Sequence, residues 1–549
     1  MKTITTLLLT LICFNVNASI KYGNTTGNWN TGSIWSPPGA PQLSDSVKIA
    51  SGVTITIPSN VNARVNSITL YGTIVNKGTI NLPGFLSVDG LLDCKSGSKV
   101  IFSGTNIQAV TGIGYINFYD VDFNINSKVK FTNTCNFYNN IKLLSASTIT
   151  ISSTSNFILK SDSINTARIL SIPDNAIITG NITQERFTKE IGYHMIGFTS
   201  SGFNCTTYDE TQPGSLNIGY INHTITPFQG GFINNTTTNT TWSQTGVISR
   251  SVMTTNLSCS GASAINDGWN LVANPYPCEI DIESTDFITN GITDMFYTWD
   301  AANNNYIWWK RGAGGTWSNK IASGQGFWVQ SYDPTSSLKI NELAKTTSGA
   351  YYRTTLTNQF KIQLQSDSDT TWCMSRLDNW SNEYSVDDGL YLQSNSSKVS
   401  EIFTKTSDNY NVVVDSRPLP QDDDIIVIPI WINIPTIKAG TTYHITLDGM
   451  QNLDNNYFWY LKYASGFITT ATTTLDFTRP AGMNYIASIY ICRNKLNSVT
   501  KDPQVVIDSE PVSVFDLQGR QVTPNSPGNY IYVYKVNNNY IYKIKYKYN

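Results

Sequence analysis

Few residues of this 549-residue chain combine the type and the spacing that chemistry requires. Asp120 and Asp122 come first: they sit two apart in YDVDF, so on a strand both carboxylates leave the same face. Such a pair could hold Ca²⁺ or supply the two carboxylates of a glycosidase. Acid/base chemistry or β-elimination also needs a positioned base and charge-stabilising partners. No histidine occurs between Ser19 and Glu185, and Arg64 and Arg168 form no motif with the aspartates. The expectation is therefore two solvated strand residues and no catalytic site.

A second set is aromatic. Trp299, Trp308, Trp309, Trp317 and Trp328 crowd one region, and flat indole faces can stack on sugar rings while neighbouring amides bond the sugar oxygens. Trp308, Trp309 and Trp317 are the candidate glycan-stacking residues, although filling a β-core is the commoner use of tryptophan. Trp308 and Trp309 are adjacent, so on a strand they point to opposite faces and one is expected at the surface. His194 and His223 lie far from any Ser or Cys motif and read as structural. The run Asp422 to Asp424 has carboxylates that suit calcium, and reads first as an exposed loop. No cofactor is called for, and calcium is the only metal these spacings suit.

Cysteine usage adds little chemistry. Cys13 lies in the apolar N-terminal run, leaving seven: Cys94, Cys135, Cys205, Cys259, Cys278, Cys373 and Cys492. None forms a CxxC pair, so the usual zinc spacing is missing. Cys205, Cys259 and Cys278 are near enough in sequence for one disulfide, and the odd number leaves at least one thiol free as a small buried residue.

Composition narrows the class. Charged residues make up 14% of the chain, against about 25% in an average soluble protein, while 30 Tyr and 13 Trp are too many for a disordered polar tract. A net charge of -2 gives no basic field to gather nucleic acid. The length suits about three to five domains. The composition is that of a folded, β-rich, extracellular type of protein.

The elements that would position these residues read as all-β throughout. Residues 1–18 form a signal peptide: Lys2, an apolar run from Leu7 to Phe14, and Val16-Asn17-Ala18 at the cut, with the mature chain starting near Ser19. No later stretch reaches the apolar length of a transmembrane helix. Residues 19–185 read as a parallel β-helix, or β-solenoid. Gly72, Gly78, Gly84 and Gly90 recur every six residues, and Ile74, Ile80, Leu86 and Leu92 follow each glycine by two. One turn glycine and one inward apolar residue per period is what stacked short strands need. Six-residue spacing also suits a left-handed helix; the irregular later rungs favour the right-handed kind.

Residues 186–353 form an aromatic-rich β module. DGWNLVANPYP gives a strand and a turn, MFYTWDAANNNYIWWK a hairpin around Asp300 to Asn305, and SGQGFWVQ a further strand. Residues 354–497 read as a β-sandwich, with FKIQL and TYHITLD alternating and IIVIPIWINI apolar on both faces. Pro429 within that run points to an edge strand or a bulge. Residues 498–510 are a linker. Residues 511–549 alternate with period two in three runs: Val512 to Leu517, Tyr530 to Tyr534 and Tyr542 to Tyr548.

That last segment, with FDLQGR followed by PGNYIYVYKVNN and a lysine-bearing strand, resembles the C-terminal sorting domain of type IX secretion cargo in Bacteroidetes. The matching residues are Phe515, Asp516, Gly519, Arg520, Gly528 and Tyr530. The GWNLVANPYP, YTWD and GQGFWV phrases, in this order, resemble a module common in the same cargo, and the W-rich start with DSVKI resembles the opening of many Bacteroidetes surface proteins. The resemblance implies a small Ig-like sorting domain read by the outer-membrane translocon and sortase, and a product secreted or attached at the cell surface. On this reading the chain is not an enzyme but an adhesin-like protein meeting extracellular glycans or a host surface. The alternative is a β-helix protein that binds or degrades polysaccharide.

Overall fold

The computed structural model describes residues 18–207, 221–260, 267–346 and 358–493, apart from 368, 379, 395, 422–423, 464–465 and 469–473, and the tail strands 513–515, 528–536 and 539–547. The expected signal peptide thus lies outside the described residues, save Ala18. Among the described residues the regular elements are β-strands joined by turns and four short 3₁₀ segments. Among the described residues no helix is long and apolar enough to cross a membrane.

The first module is a β-solenoid of about seven turns. Its strands stack into three parallel sheets, one for each side of the coil. Leu86 pairs with Ile68 on the coil below and Val110 on the coil above, so the six-residue period is one side of a coil and three periods close a turn. Alternation sends Ile74, Ile80, Leu86 and Leu92 inward, where all are buried. Larger inward residues follow and stack between coils: Phe118 on Phe137 at 5.1 Å, and Phe137 on Phe157 at 4.0 Å between ring centroids. Each such side chain contributes roughly 1.5–3 kcal/mol through burial.

The recurring glycines have a steric cause. A Cβ on Gly90 would collide with the carbonyl oxygen of Gly72, and one on Gly114 with that of Gly90. Successive coils approach so closely at this corner that only a residue without a side chain fits. In the first coil Trp29 and Trp35 are buried, packed edge-to-face at 5.1 Å with the Trp35 indole donating to the Trp29 carbonyl.

The far end of the solenoid merges into the next module. Ile182–Thr188 straddles residue 185: it adds to a solenoid sheet on one side and pairs antiparallel with Thr240–Gly246 on the other. Beyond it, the three family-like phrases become neighbours in one antiparallel sheet, in the order Trp269–Ala273, Gly326–Ser331, Ile292–Asp300, Asn305–Lys310. The hairpin turns where expected, with Asp300 opposite Asn305. Asn274 ties the Asn-Pro-Tyr-Pro turn, its amide donating to the Cys278 and Ile321 carbonyls and its oxygen accepting from the Tyr276 N–H.

Residues from Gln359 to Cys492 form one eleven-stranded mixed sheet. Of the edge strand or bulge that Pro429 points to, the structure has the bulge. Pro429 lies on an interior strand, Ile425–Ile434, flanked by Gly482–Cys492 and Glu401–Lys405. Pairing to the latter runs only from Ile430 onward, and a register shift follows between Ile430 and Trp431, so the missing N–H is absorbed beside a bulge. The same strand, apolar on both faces, buries one of them: Ile426, Ile428, Ile430, Ile432 and Ile434 are buried, while Val427 is exposed. Residues from both ends of the sheet, Leu461 and Phe477 among them, meet Met295, Tyr297 and Trp308 of the aromatic module in one core. The tail strands Ser513–Phe515, Gly528–Val536 and Asn539–Lys547 form a separate antiparallel sheet.

Candidate functional site

The aspartate pair lies outward on Asp120–Phe123, as alternation requires. Coil-to-coil contacts occupy both carboxylates. Asp120 accepts from the Asn139 side chain at 2.9 Å and the Asn140 backbone N–H at 3.1 Å, and Asp122 pairs with Lys99 at 2.8 Å. The two hold adjacent rungs in register.

The three candidate stacking tryptophans are all buried: Trp308 is 4% exposed, Trp309 6% and Trp317 9%. The expectation of a surface indole is therefore corrected. Opposite faces of the strand do receive Trp308 and Trp309, but each face is covered. Trp308 packs edge-on to Trp372 at 5.1 Å in the core shared with the eleven-stranded sheet. Trp309 and Trp317 enter the module's own core, where the Trp309 indole N–H donates to Glu283 at 2.7 Å.

The remaining candidates are structural where described. His194 bonds the Glu190 carbonyl at 2.8 Å, and burial holds its pKa below the usual histidine value. The His223 side chain lies outside the described residues, as do Asp422 and Asp423; Asp424 is exposed. Cys259 and Cys278 are both free thiols, and the Cys205 side chain lies outside the described residues. Cys94, Cys135, Cys278, Cys373 and Cys492 are buried thiols, and burial pushes Cys94 up to about 12. Among the described residues, no group of three His, Cys, Asp or Glu is placed to hold a metal ion. Of the sorting-type residues, Phe515 lies opposite Ile531 and Tyr530 opposite Lys545, with Gly528 opening the middle strand; Asp516, Gly519 and Arg520 lie outside the described residues.

What the sequence did not mark is the contact between the aromatic module and the eleven-stranded sheet. A cleft of about 750 Å³ opens there, lined by Asp281, Glu283, Trp309, Lys361, Trp372 and Asp448 among others. Glu283 accepts from Trp309 and from the Gly312 N–H at 3.0 Å, Asp281 accepts from the Asn319 amide at 2.9 Å, and the Lys361 ammonium sits 4.2 Å from the Trp372 ring centroid. Charges of both signs and indole walls make this a polar groove. Its carboxylates Asp281 and Glu283 act as acceptors that brace the walls.

Within the Gln359–Cys492 unit, buried charges meet. Asp388 accepts from the Ser385 and Ser416 N–H groups, both at 2.7 Å, and burial raises it to about 7. Asp415 is fully buried against Arg417, and burial raises it too. The signal for this cluster is faint: a charged D-x-R inside the apolar run VVVDSRP, which alternation sends to one face. Comparison with known protein families, characterised proteins and solved structures finds no match to this chain.

Proposed function

We propose that this chain is a non-catalytic, adhesin-like protein, secreted or attached at the cell surface, that leaves the cell by the type IX route with its last strands as the address. The observation that carries this reading is the tail's own sheet. Among the described residues its three strands pair only with one another, which supports a unit removable without opening the eleven-stranded sheet. In this reading the tail is a small Ig-like domain and the eleven-stranded sheet a two-layered sandwich. The solenoid acts as a spacer, its first strand Ile20–Gly23 starting just past the expected signal cut. Engagement of Asp120 and Asp122 in rung-to-rung contacts supports the non-catalytic part.

Cell fractionation with C-terminal mass spectrometry of the native protein tests the proposal. The expected product is extracellular or surface-held and ends before about residue 511. An exported product keeping residues 511–549 intact and unmodified overturns the address, and polysaccharide cleavage abolished by Asp120→Asn overturns the non-catalytic reading.

A further inference from the structure

The aromatic module seats on the eleven-stranded sheet through a junction that buries ionisable groups from both sides. On the module side Lys310, at the end of Asn305–Lys310, is 5% exposed, and its ammonium donates to the Thr293 carbonyl at 2.7 Å. On the other side Asp388 is 1% exposed. The segment carrying it presses on the module: a Cβ on Gly389 would collide with Met295, and the Tyr297 hydroxyl donates to the Leu390 carbonyl at 3.0 Å. The charged and titratable groups around Asp388 are Asp415 and Arg417 from Asn411–Pro418, Arg376 from Thr370–Asp378, Tyr384, and Lys310 across the junction. Those around Lys310 are Arg376, Asp294, Asp387 and Asp388.

We propose that this junction is a pH-sensitive clasp whose hold on the aromatic module is weakest near neutrality and tightens on either side. Burial raises Asp388 to about 7. Between pH about 4 and 7 the seated form therefore keeps a proton that the opened form releases, and seating weakens as pH rises through that window. Burial, then the Arg376 charge, lowers Lys310 to about 8. Between pH about 8 and 10.4 the opened form carries a proton that the seated form lacks, and seating strengthens as pH rises.

Hydrogen exchange of the full chain from pH 5 to 10, corrected for intrinsic rates and read on peptides spanning 292–310 and 384–390, tests the clasp. Protection should fall by up to about tenfold per pH unit from 5 to 7, stay low to 8, and recover above it. Asp388→Asn should flatten the acid limb alone and Lys310→Met the alkaline limb alone. Should either variant fail to fold, infrared titration of ¹³C-aspartate-labelled wild type gives an independent reading: a buried carboxylic acid band should persist at pH 5.5, be half lost near 7 and be gone by about 9. Flat or monotonic protection, or the lack of a protonated carboxyl at pH 5.5, overturns the proposal.

Discussion

Trp308 and Trp309 are consecutive in sequence yet lie in two different hydrophobic cores, one shared with the eleven-stranded sheet and one inside the aromatic module. The strand Asn305–Lys310 is thus the partition between two bodies, with an indole anchored in each. Either truncation, Trp308→Ala or Trp309→Ala, should cost about 3–5 kcal/mol in chemical denaturation. Trp309→Phe keeps most of the buried area and removes the donor to Glu283, so its loss should be smaller. A loss under about 1 kcal/mol for both alanine variants would contradict the burial of these rings.

The corner glycines of the solenoid should be less tolerant than its turn glycines. Gly97 has a φ of 80° and open space where a Cβ would stand, so Gly97→Ala should cost about 1–2 kcal/mol of left-handed strain. Gly90→Ala forces a methyl group into the backbone of the coil below, and should cost more than Gly97→Ala in the same urea titration. Equal losses would mean that coil spacing is not what selects glycine at the corner.

Solenoid and aromatic module are joined through Glu342, whose carboxylate accepts from the Ile172 and Ser251 backbone N–H groups, both at 3.0 Å, and pairs with the buried Lys345 at 2.6 Å. Glu342→Gln leaves that ammonium uncompensated, and about 3–5 kcal/mol should be lost. The double variant Glu342→Gln with Lys345→Met should recover part of this in a double-mutant cycle, because the orphaned charge is gone.

Asp369 gives an acid-sensitive contribution of opposite sign to that of Asp388. Burial alone would raise its pKa, but hydrogen bonds from Lys438, Ser366 and Ser400, with the Lys438 charge, hold it below the usual aspartate value. A lowered folded pKa means stability that is present above the unfolded value near 3.9 and lost as pH falls through the folded one. Melting temperatures measured from pH 6 down to 2 should decline less steeply for Asp369→Asn than for the wild type.

The buried thiols should be silent. Cys94, Cys135 and Cys373 are buried with pKa values raised by desolvation, so a thiol reagent at pH 8 should label them only after denaturation. Fast labelling of any of the three in the native protein would place that cysteine at the surface.

Much of the architecture was legible because strand patterning is local. A buried face must repeat every second residue, so FKIQL, TYHITLD and the solenoid rungs announce themselves, and the Gly72 to Gly90 period records coil corners that admit no Cβ. The phrases around Trp269, Tyr297 and Phe327 likewise mark strands, and the structure sets them side by side. Alternation says which residues share a face, but not what covers that face. Only the tertiary structure could bury Trp308 and Trp309 together, place Pro429 on an interior strand, keep Cys259 and Cys278 apart, and set Lys310 near Asp388. Each of these depends on groups far away in the chain, and burial, unlike alternation, is a property of the packed surroundings rather than of the strand itself.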